Sequence, residues 1–212
     1  MAREIEVKLR LPDERAAEEL IASAGGEVLG VVWQTNYLFD TPELSLRGAG
    51  LALRLRDEDG RWSVTLKGPT VRAGAARSRE EIEARVDAQA AAAMLAGETS
   101  PLAALTGDAP LVASAAGLAP GGIEPLGSFR NRRTRVRALL PGLGTACLEL
   151  DRTELPGDRT DLEVELELPA ESTPEEAAAA EAALARLLAE IGVDAVPSSG
   201  KTSRFLAAAG AA

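Results

Sequence analysis

Histidine is absent from this 212-residue chain, which removes His-metal sites, Ser-His and Cys-His nucleophile pairs, and imidazole acid-base chemistry. Carboxylates, Lys, Tyr or a metal-activated water are left for any catalysis. The single cysteine, Cys147, excludes an intrachain disulfide, points to a reducing compartment, and is read as a structural residue. Aromatics make up only 3% of the chain, so aliphatic side chains must fill the core. Isolated Tyr37 and Trp62 read as packing residues rather than a platform for stacked bases. No apolar run approaches the roughly 18 residues needed to span a bilayer, and no charged-then-apolar leader opens the sequence; a cytoplasmic location without membrane contact is expected. A basic surface excess is also missing. The net charge of -10 argues against nonspecific nucleic-acid binding, while a small anion held by a local Arg and Lys cluster stays compatible with it.

Hydrophobic residues make up 46% of the chain, enough for a core, and the length suits one domain, expected to span residues 1–212. The opening strand pattern is the most informative local feature. In Glu4-Ile5-Glu6-Val7-Lys8-Leu9-Arg10-Leu11, a strand puts Glu4, Glu6, Lys8 and Arg10 on one face and the aliphatic residues on the other. Two carboxylates beside two cations describe either a solvated face or one wall of a site that holds a metal ion and an anion together.

Pro12-Asp13-Glu14 reads as a helix start, with Leu20, Ile21 and Ala24 as its apolar stripe and Gly25-Gly26 as its stop. Strands are predicted over 28–40 and 51–57, then, after an Asp59-Gly60 hairpin turn, over 62–67 and 77–86. Residues 87–120 are Ala-rich and predicted as two or three helical pieces broken at Gly97, Pro101 and Pro110, forming a structural insert. Strands follow over 129–139, 145–153 and 162–168, with a Pro141-Gly142 turn between the first two. A helix over 174–191 buries Leu184, Leu187, Leu188 and Ile191, and a short helix over 203–209 closes the chain.

The halves share a charge grammar. Arg54 and Arg56, Lys67, then Glu81 and Glu83 recur as Arg130 to Arg135, Glu149 and Asp151, then Glu163, Glu165 and Glu167, which suggests pseudo-symmetric halves. About eight strands is the number at which a closed barrel has a lumen sized for one small ligand, and closure removes exposed edges. A charged lumen needs matched charges, water or ligands. Carboxylates supply oxygen ligands for Mg²⁺ or Mn²⁺ and Arg and Lys supply donors for phosphate oxygens, so the pairing selects a metal-bound polyphosphate. Acidic faces alone would suggest calcium, and basic faces alone a nucleic-acid or sulfate binder. The same glutamates at an edge would discourage aggregation.

These residues resemble the CYTH superfamily, also called triphosphate tunnel metalloenzymes. Its opening E-x-E-x-K matches Glu4-x-Glu6-x-Lys8, and the likeness continues through Gln34 to Asp40, Leu53-Arg54-Leu55-Arg56, Thr65-Leu66-Lys67, Arg79 to Glu83, Leu148-Glu149-Leu150-Asp151, Glu163-Val164-Glu165 and Lys201. The pattern is most similar to stand-alone inorganic tripolyphosphatases. The resemblance implies an α+β fold: a closed eight-stranded antiparallel barrel with flanking helices. It further implies that Lys8, Arg54, Arg56, Lys67, Arg133 and Lys201 grip the triphosphate. Glu4, Glu6, Glu81, Glu83, Asp151, Glu163 and Glu165 are the implied holders of one or two divalent ions, Mg²⁺ or Mn²⁺, with Glu4, Glu6 and Lys8 as the catalytic set. Within Arg130 to Arg135, alternation puts Arg133 and Arg135 on one face and Arg130 and Arg132 on the other; Arg133 is the favoured ligand.

The implied reaction is metal-assisted attack of water on a terminal phosphoryl group, with a glutamate taking the proton. The expected substrate is inorganic tripolyphosphate, split to pyrophosphate and phosphate. Thiamine triphosphatase and class IV adenylate cyclase activities share the same motifs, and a non-catalytic polyphosphate-binding module is the reading from a different class. Oligomeric state is not legible in these motifs.

Overall fold

Extended backbone runs wherever apolar and charged residues alternate, because only a pleated strand separates the two sets onto opposite faces. The computed structural model describes residues 2–105 and 109–210. Its strands are β1 (Ala2–Leu11), β2 (Glu27–Asp40), β3 (Ala52–Glu58), β4 (Arg61–Lys67), β5 (Val71–Ala73), β6 (Ala76–Val86), β7 (Glu124–Leu140), β8 (Gly144–Leu155), β9 (Arg159–Leu168) and β10 (Val196–Pro197). The helices are α1 (Glu14–Ser23), α2 (Ser45–Gly48), α3 (Ala88–Leu95), α4 (Pro110–Leu118), α5 (Pro174–Glu190) and α6 (Lys201–Ala208), with a 3₁₀ turn at Pro101–Ala104. Hydrogen-bonded neighbours follow the order β10-β1-β9-β8-β7-β2-β3-β4-β6-β5, and β1 also pairs with β6. Setting aside short β10 and β5, the order closes on itself: the fold is an eight-stranded antiparallel β-barrel with flanking helices.

The described residues divide into two compact bodies. The first comprises Trp33–Thr70 and Arg79–Arg130 with the residues before Glu4; the second comprises Glu4–Val32, Val71–Ser78 and the chain from Asn131 onward.

In the first body, β2, β3, β4 and β6 pair in antiparallel register, with Leu55 opposite Val64 and Leu66 opposite Ile82. The β3–β4 connection uses Asp59 and Gly60, both at positive φ (50° and 81°), the pairing that matches the right-handed twist of a two-residue hairpin. The core holds Phe39, Leu53, Leu55, Val64 and Leu66. The Ala-rich stretch is broken at the positions its Gly and Pro residues foretell, and its pieces pack into the core. Ala91, Met94, Leu102, Leu105, Leu111 and Ala115 belong to the same buried cluster, because small Ala side chains let the helices approach closely. Residues 106–108 of the insert lie outside the described residues. Tyr37 and Trp62 stack at 6.0 Å between centroids and pack against this core.

In the second body, Ile5, Val7, Leu9 and Leu11 of β1 join Leu148 and Leu150 of β8, Val164 and Leu166 of β9, and Leu184, Leu187 and Leu188 of α5 in one aliphatic core. Helix α5 starts with a capping box, Thr173 and Glu176 each bonding the other's backbone N–H. Gly74, at φ 63°, lets Glu181 come close enough to accept from the Ala75 N–H at 2.9 Å; a Cβ on Gly74 would lie 2.6 Å from that carboxylate. Cys147, read from the sequence as a structural residue, is exposed. It alternates with the buried Leu148 and Leu150 on β8, so its side chain lies on the strand face that also carries Glu149 and Asp151. No described helix is long and apolar enough to cross a membrane.

Candidate functional site

Three adjacent strands of the second body carry the acidic residues. After the Pro156-Gly157-Asp158 turn, with Gly157 and Asp158 at positive φ, β9 returns along β8 in a register that sets Glu149 opposite Glu165 and Asp151 opposite Glu163. On the other side of β9, β1 places Lys8 opposite Glu165. Like charges directly across a ladder repel, and these are buried: Asp151 and Glu163 are each 1% exposed. The arrangement holds only because cations stand between the carboxylates.

Arg133 of β7 is the first. It donates through Nε to Asp151 Oδ1 at 2.8 Å and through Nη2 to Asp151 Oδ2 at 2.6 Å, a fork-on-carboxylate geometry, and Nη2 also reaches Glu165 Oε2 at 2.7 Å. Its Nη1 pairs with Glu149. Lys8 Nζ lies 2.6 Å from Glu165 Oε1 and 3.2 Å from Glu6 Oε1. Lys201, from the start of α6, lies 2.7 Å from Asp151 Oδ2 and 2.5 Å from Glu165 Oε1 and pairs with Glu163 Oε1.

These contacts fix the charge states. Burial alone pushes each carboxyl toward its neutral form. Lys201 and Arg133 overcome this at Asp151, Lys201 and Lys8 at Glu163, and Lys201, Lys8 and Arg133 at Glu165, so all three stay below the usual carboxylate range. Burial likewise acts against the Lys201 ammonium, and Asp151, Glu163 and Glu165 reverse it, raising its pKa.

Asp151, Glu163 and Glu165 each offer one oxygen, and the three oxygens lie within 4.8 Å of one another. An all-oxygen donor set of this spacing fits a hard divalent ion such as Mg²⁺ or Mn²⁺. Glu6 is buried beside the triad through Lys8, and Glu4 is half-buried two residues earlier on the same strand face.

The remaining expected residues stand in the first body. Arg54, Thr65 and Glu83 form a row across β3, β4 and β6: Arg54 Nη2 donates to Thr65 Oγ1 at 3.3 Å and Thr65 Oγ1 donates to Glu83 Oε2 at 3.0 Å. Arg56 Nε donates to Asn36 Oδ1 at 3.0 Å, and Lys67 pairs with Glu81 at 2.7 Å. Buried Asp40 accepts from the backbone N–H groups of Thr41, Leu46 and Arg47, which anchors the segment after β2. Arg130 stacks over Trp33 at 4.4 Å; in the second body Arg132 is exposed and Arg135 pairs with Glu149 at 3.1 Å.

Sequence reading missed a second buried group. Arg204 Nη1 donates to Ser198 Oγ at 2.6 Å, and Ser198 Oγ donates to Glu163 Oε2 at 2.6 Å. The same guanidinium pairs with Glu163 and with Asp161 Oδ2, each at 2.8 Å. Two signals were present: Asp161 continues the strand face of Glu163 and Glu165, and Arg204 follows Lys201 by three residues on one helix face.

A family model for the CYTH domain matches residues 2–199, so Lys201 and Arg204 lie just past the matched span. The chain superposes on HpAC1 from Hippeastrum, a candidate adenylyl cyclase described as having a dominant triphosphatase activity, with a TM-score of 0.77, 30% identity, and coverage of 96% of this chain and 95% of that one. A candidate adenylate cyclase from Bacillus halodurans shares the fold at a TM-score of 0.68, with 21% identity over 97% of this chain and 99% of the other. A candidate adenylate cyclase of Methanocaldococcus jannaschii is 32% identical over 84 residues, 40% of this chain; the match spans about half, 47%, of that relative's length. With the family model matching nearly end to end, and a 30%-identical structure sharing the fold along almost the whole of both chains, this chain belongs to the CYTH domain family.

Proposed function

We propose that this protein is a divalent-metal-dependent triphosphatase that hydrolyses inorganic tripolyphosphate to pyrophosphate and phosphate. The observation that carries the reading is the sharing of oxygens in the second body: the same three carboxylates that fit a hard divalent ion also touch Lys8, Arg133 and Lys201. Carboxylates and cations interleaved at this spacing suit a metal-bearing polyanion better than either a bare metal or a bare anion.

Asp151, Glu163 and Glu165 would hold the ion, with Glu4, Glu6, Glu81 and Glu83 as the further proposed ligands. A bound Mg²⁺ or Mn²⁺ supplies charge neutralisation on the phosphate oxygens. Lys8, Arg54, Arg56, Lys67, Arg133 and Lys201 bind and orient the phosphates. In the reaction a water oxygen forms a bond to the terminal phosphorus, the bridging P–O bond breaks, and pyrophosphate leaves with the bond's electron pair. The Glu4 and Glu6 pair takes the water's proton, and Lys8 beside Glu6 stabilises the charge gathering on the phosphates.

Incubation with tripolyphosphate, thiamine triphosphate or ATP, each with Mg²⁺ or Mn²⁺, tests the reading. Phosphate and pyrophosphate from tripolyphosphate are expected. Pyrophosphate with cyclic AMP from ATP would replace the reading with a cyclase, and tight binding without product would replace it with a polyphosphate-binding module. Glu4→Gln and Glu6→Gln should each abolish metal-dependent turnover with the fold intact; full activity in both would sink the catalytic assignment.

A further inference from the structure

Lys201 stands where a divalent ion would. Its ammonium touches one oxygen from each of Asp151, Glu163 and Glu165, the three carboxylates whose oxygens cluster within 4.8 Å. A small hard cation needs those oxygens at about 2.1 Å, so ammonium and metal ion exclude each other. The position is not one the helix favours. Lys201 is the first residue of α6, where the macrodipole attracts anions and opposes a cation; the carboxylates hold it there.

Charge balance leads to the same place. In the ion pairs of this cluster, Glu6, Glu149, Asp151, Asp161, Glu163 and Glu165 are met by Lys8, Arg10, Arg133, Arg135, Lys201 and Arg204. Six carboxylates against six cations leave no net charge for a divalent ion to balance. A bare ion entering this buried set would leave excess positive charge out of water, so a cation must leave as the ion arrives. Arg133 is forked onto Asp151, and Arg204 is fixed by Ser198 and Asp161. Lys201 is a point charge on a flexible stem, and its ion pairs reach all three carboxylates.

Resting on the triphosphatase reading, we infer that Lys201 is a tethered counter-ion of the carboxylate triad. It excludes the divalent ion until triphosphate draws the ammonium onto phosphate oxygens, so ion and triphosphate bind with positive coupling. By linkage, each then raises the affinity of the other by the same factor.

Binding of Mn²⁺, read from the electron paramagnetic resonance signal of the free aqueous ion, tests this with and without a non-hydrolysable imido analogue of tripolyphosphate. Wild-type protein should bind Mn²⁺ at least about tenfold tighter with the analogue present, a coupling of about 1.4 kcal/mol or more. Lys201→Met should bind Mn²⁺ about tenfold tighter than wild type without analogue and lose most of the coupling, and Lys201→Arg should stay close to wild type. Equal or weaker Mn²⁺ binding by folded Lys201→Met would overturn the inference. The wild-type arm needs no variant: Mn²⁺ affinity indifferent to the analogue, in protein that does hydrolyse tripolyphosphate, overturns the role of Lys201 alone. Wild-type protein that neither binds Mn²⁺ under either condition nor hydrolyses tripolyphosphate overturns the triphosphatase reading itself.

Discussion

On β3 and β4, Arg54 and Arg56 are steadied by a hydroxyl and an amide, those of Thr65 and Asn36. On β7, Arg133 is gripped by Glu149, Asp151 and Glu165. A neutral acceptor fixes the direction of a guanidinium through a single lone pair and offers no carboxylate oxygens to a metal ion. Carboxylate partners cancel charge and share their oxygens with whatever cation is present, so the second body is built to exchange cations. Lys67, paired with Glu81, brings the carboxylate setting into the first body as well, so it is the acceptor of each cation, not the body it stands in, that separates the roles.

Removing a triad carboxylate is the strongest way to break this contrast. Glu165→Gln should lower tripolyphosphate turnover by about 10³-fold, and added Mn²⁺ should not restore it. Arg54→Ala should act mainly through KM, because it removes a contact to the phosphates in ground and transition state alike. Steady-state kinetics at several Mn²⁺ concentrations separate the two.

Stability sharpens the same comparison. Arg133→Ala leaves Asp151 and Glu165 short of their buried partner and should destabilise the protein by about 3–5 kcal/mol. Half-buried Arg56→Ala loses a hydrogen bond to Asn36 and should cost about 1 kcal/mol. Urea unfolding midpoints read both, and near-equal losses would erase the distinction.

Acid titration of metal-free protein gives the next effect in size. Asp151, Glu163 and Glu165 have folded pKa values below their unfolded ones, so their contribution is fully present above about pH 5 and is lost as pH falls through the unfolded and then the lowered folded values. Unfolding free energy measured from pH 7 down to pH 2 should therefore hold the triad's share down to about pH 5 and lose it progressively below. Arg133→Ala should shift that loss to higher pH. Smallest of all, Cys147→Ser, at an exposed position of β8, should change stability by no more than about 0.5 kcal/mol.

Much of the architecture is legible because alternation is a local signal. Glu4 to Leu11, Leu51 to Asp57 and the face carried by Glu163 and Glu165 each announce strand and side in a handful of residues. Asp59-Gly60 announces its turn for an equally local reason, since both positions need positive φ. What alternation cannot express is which charge meets which. Lys201 and Glu165 are 36 residues apart, and nothing around Lys201 says that three carboxylates surround it. Arg204 and Ser198 escape notice likewise, since their partner Glu163 is fixed by the path of the chain into α6. Strands β5 and β10, three and two residues long, are too short to show a period, and α2 depends on Asp40 capturing backbone N–H groups beyond it. Cys147 is exposed although Asp151, on the same face of β8, is 1% exposed; how far along the strand that face is covered is a tertiary fact.

The central claim is that the second body's carboxylates make this protein a metal-dependent triphosphatase. Its most direct test is the release of phosphate and pyrophosphate from tripolyphosphate by wild type and Glu163→Gln, with and without Mn²⁺. The account predicts equal amounts of the two products from wild type, only with the metal, and at most a trace from Glu163→Gln. No release by wild type with either Mn²⁺ or Mg²⁺, or undiminished release by folded Glu163→Gln, would contradict it.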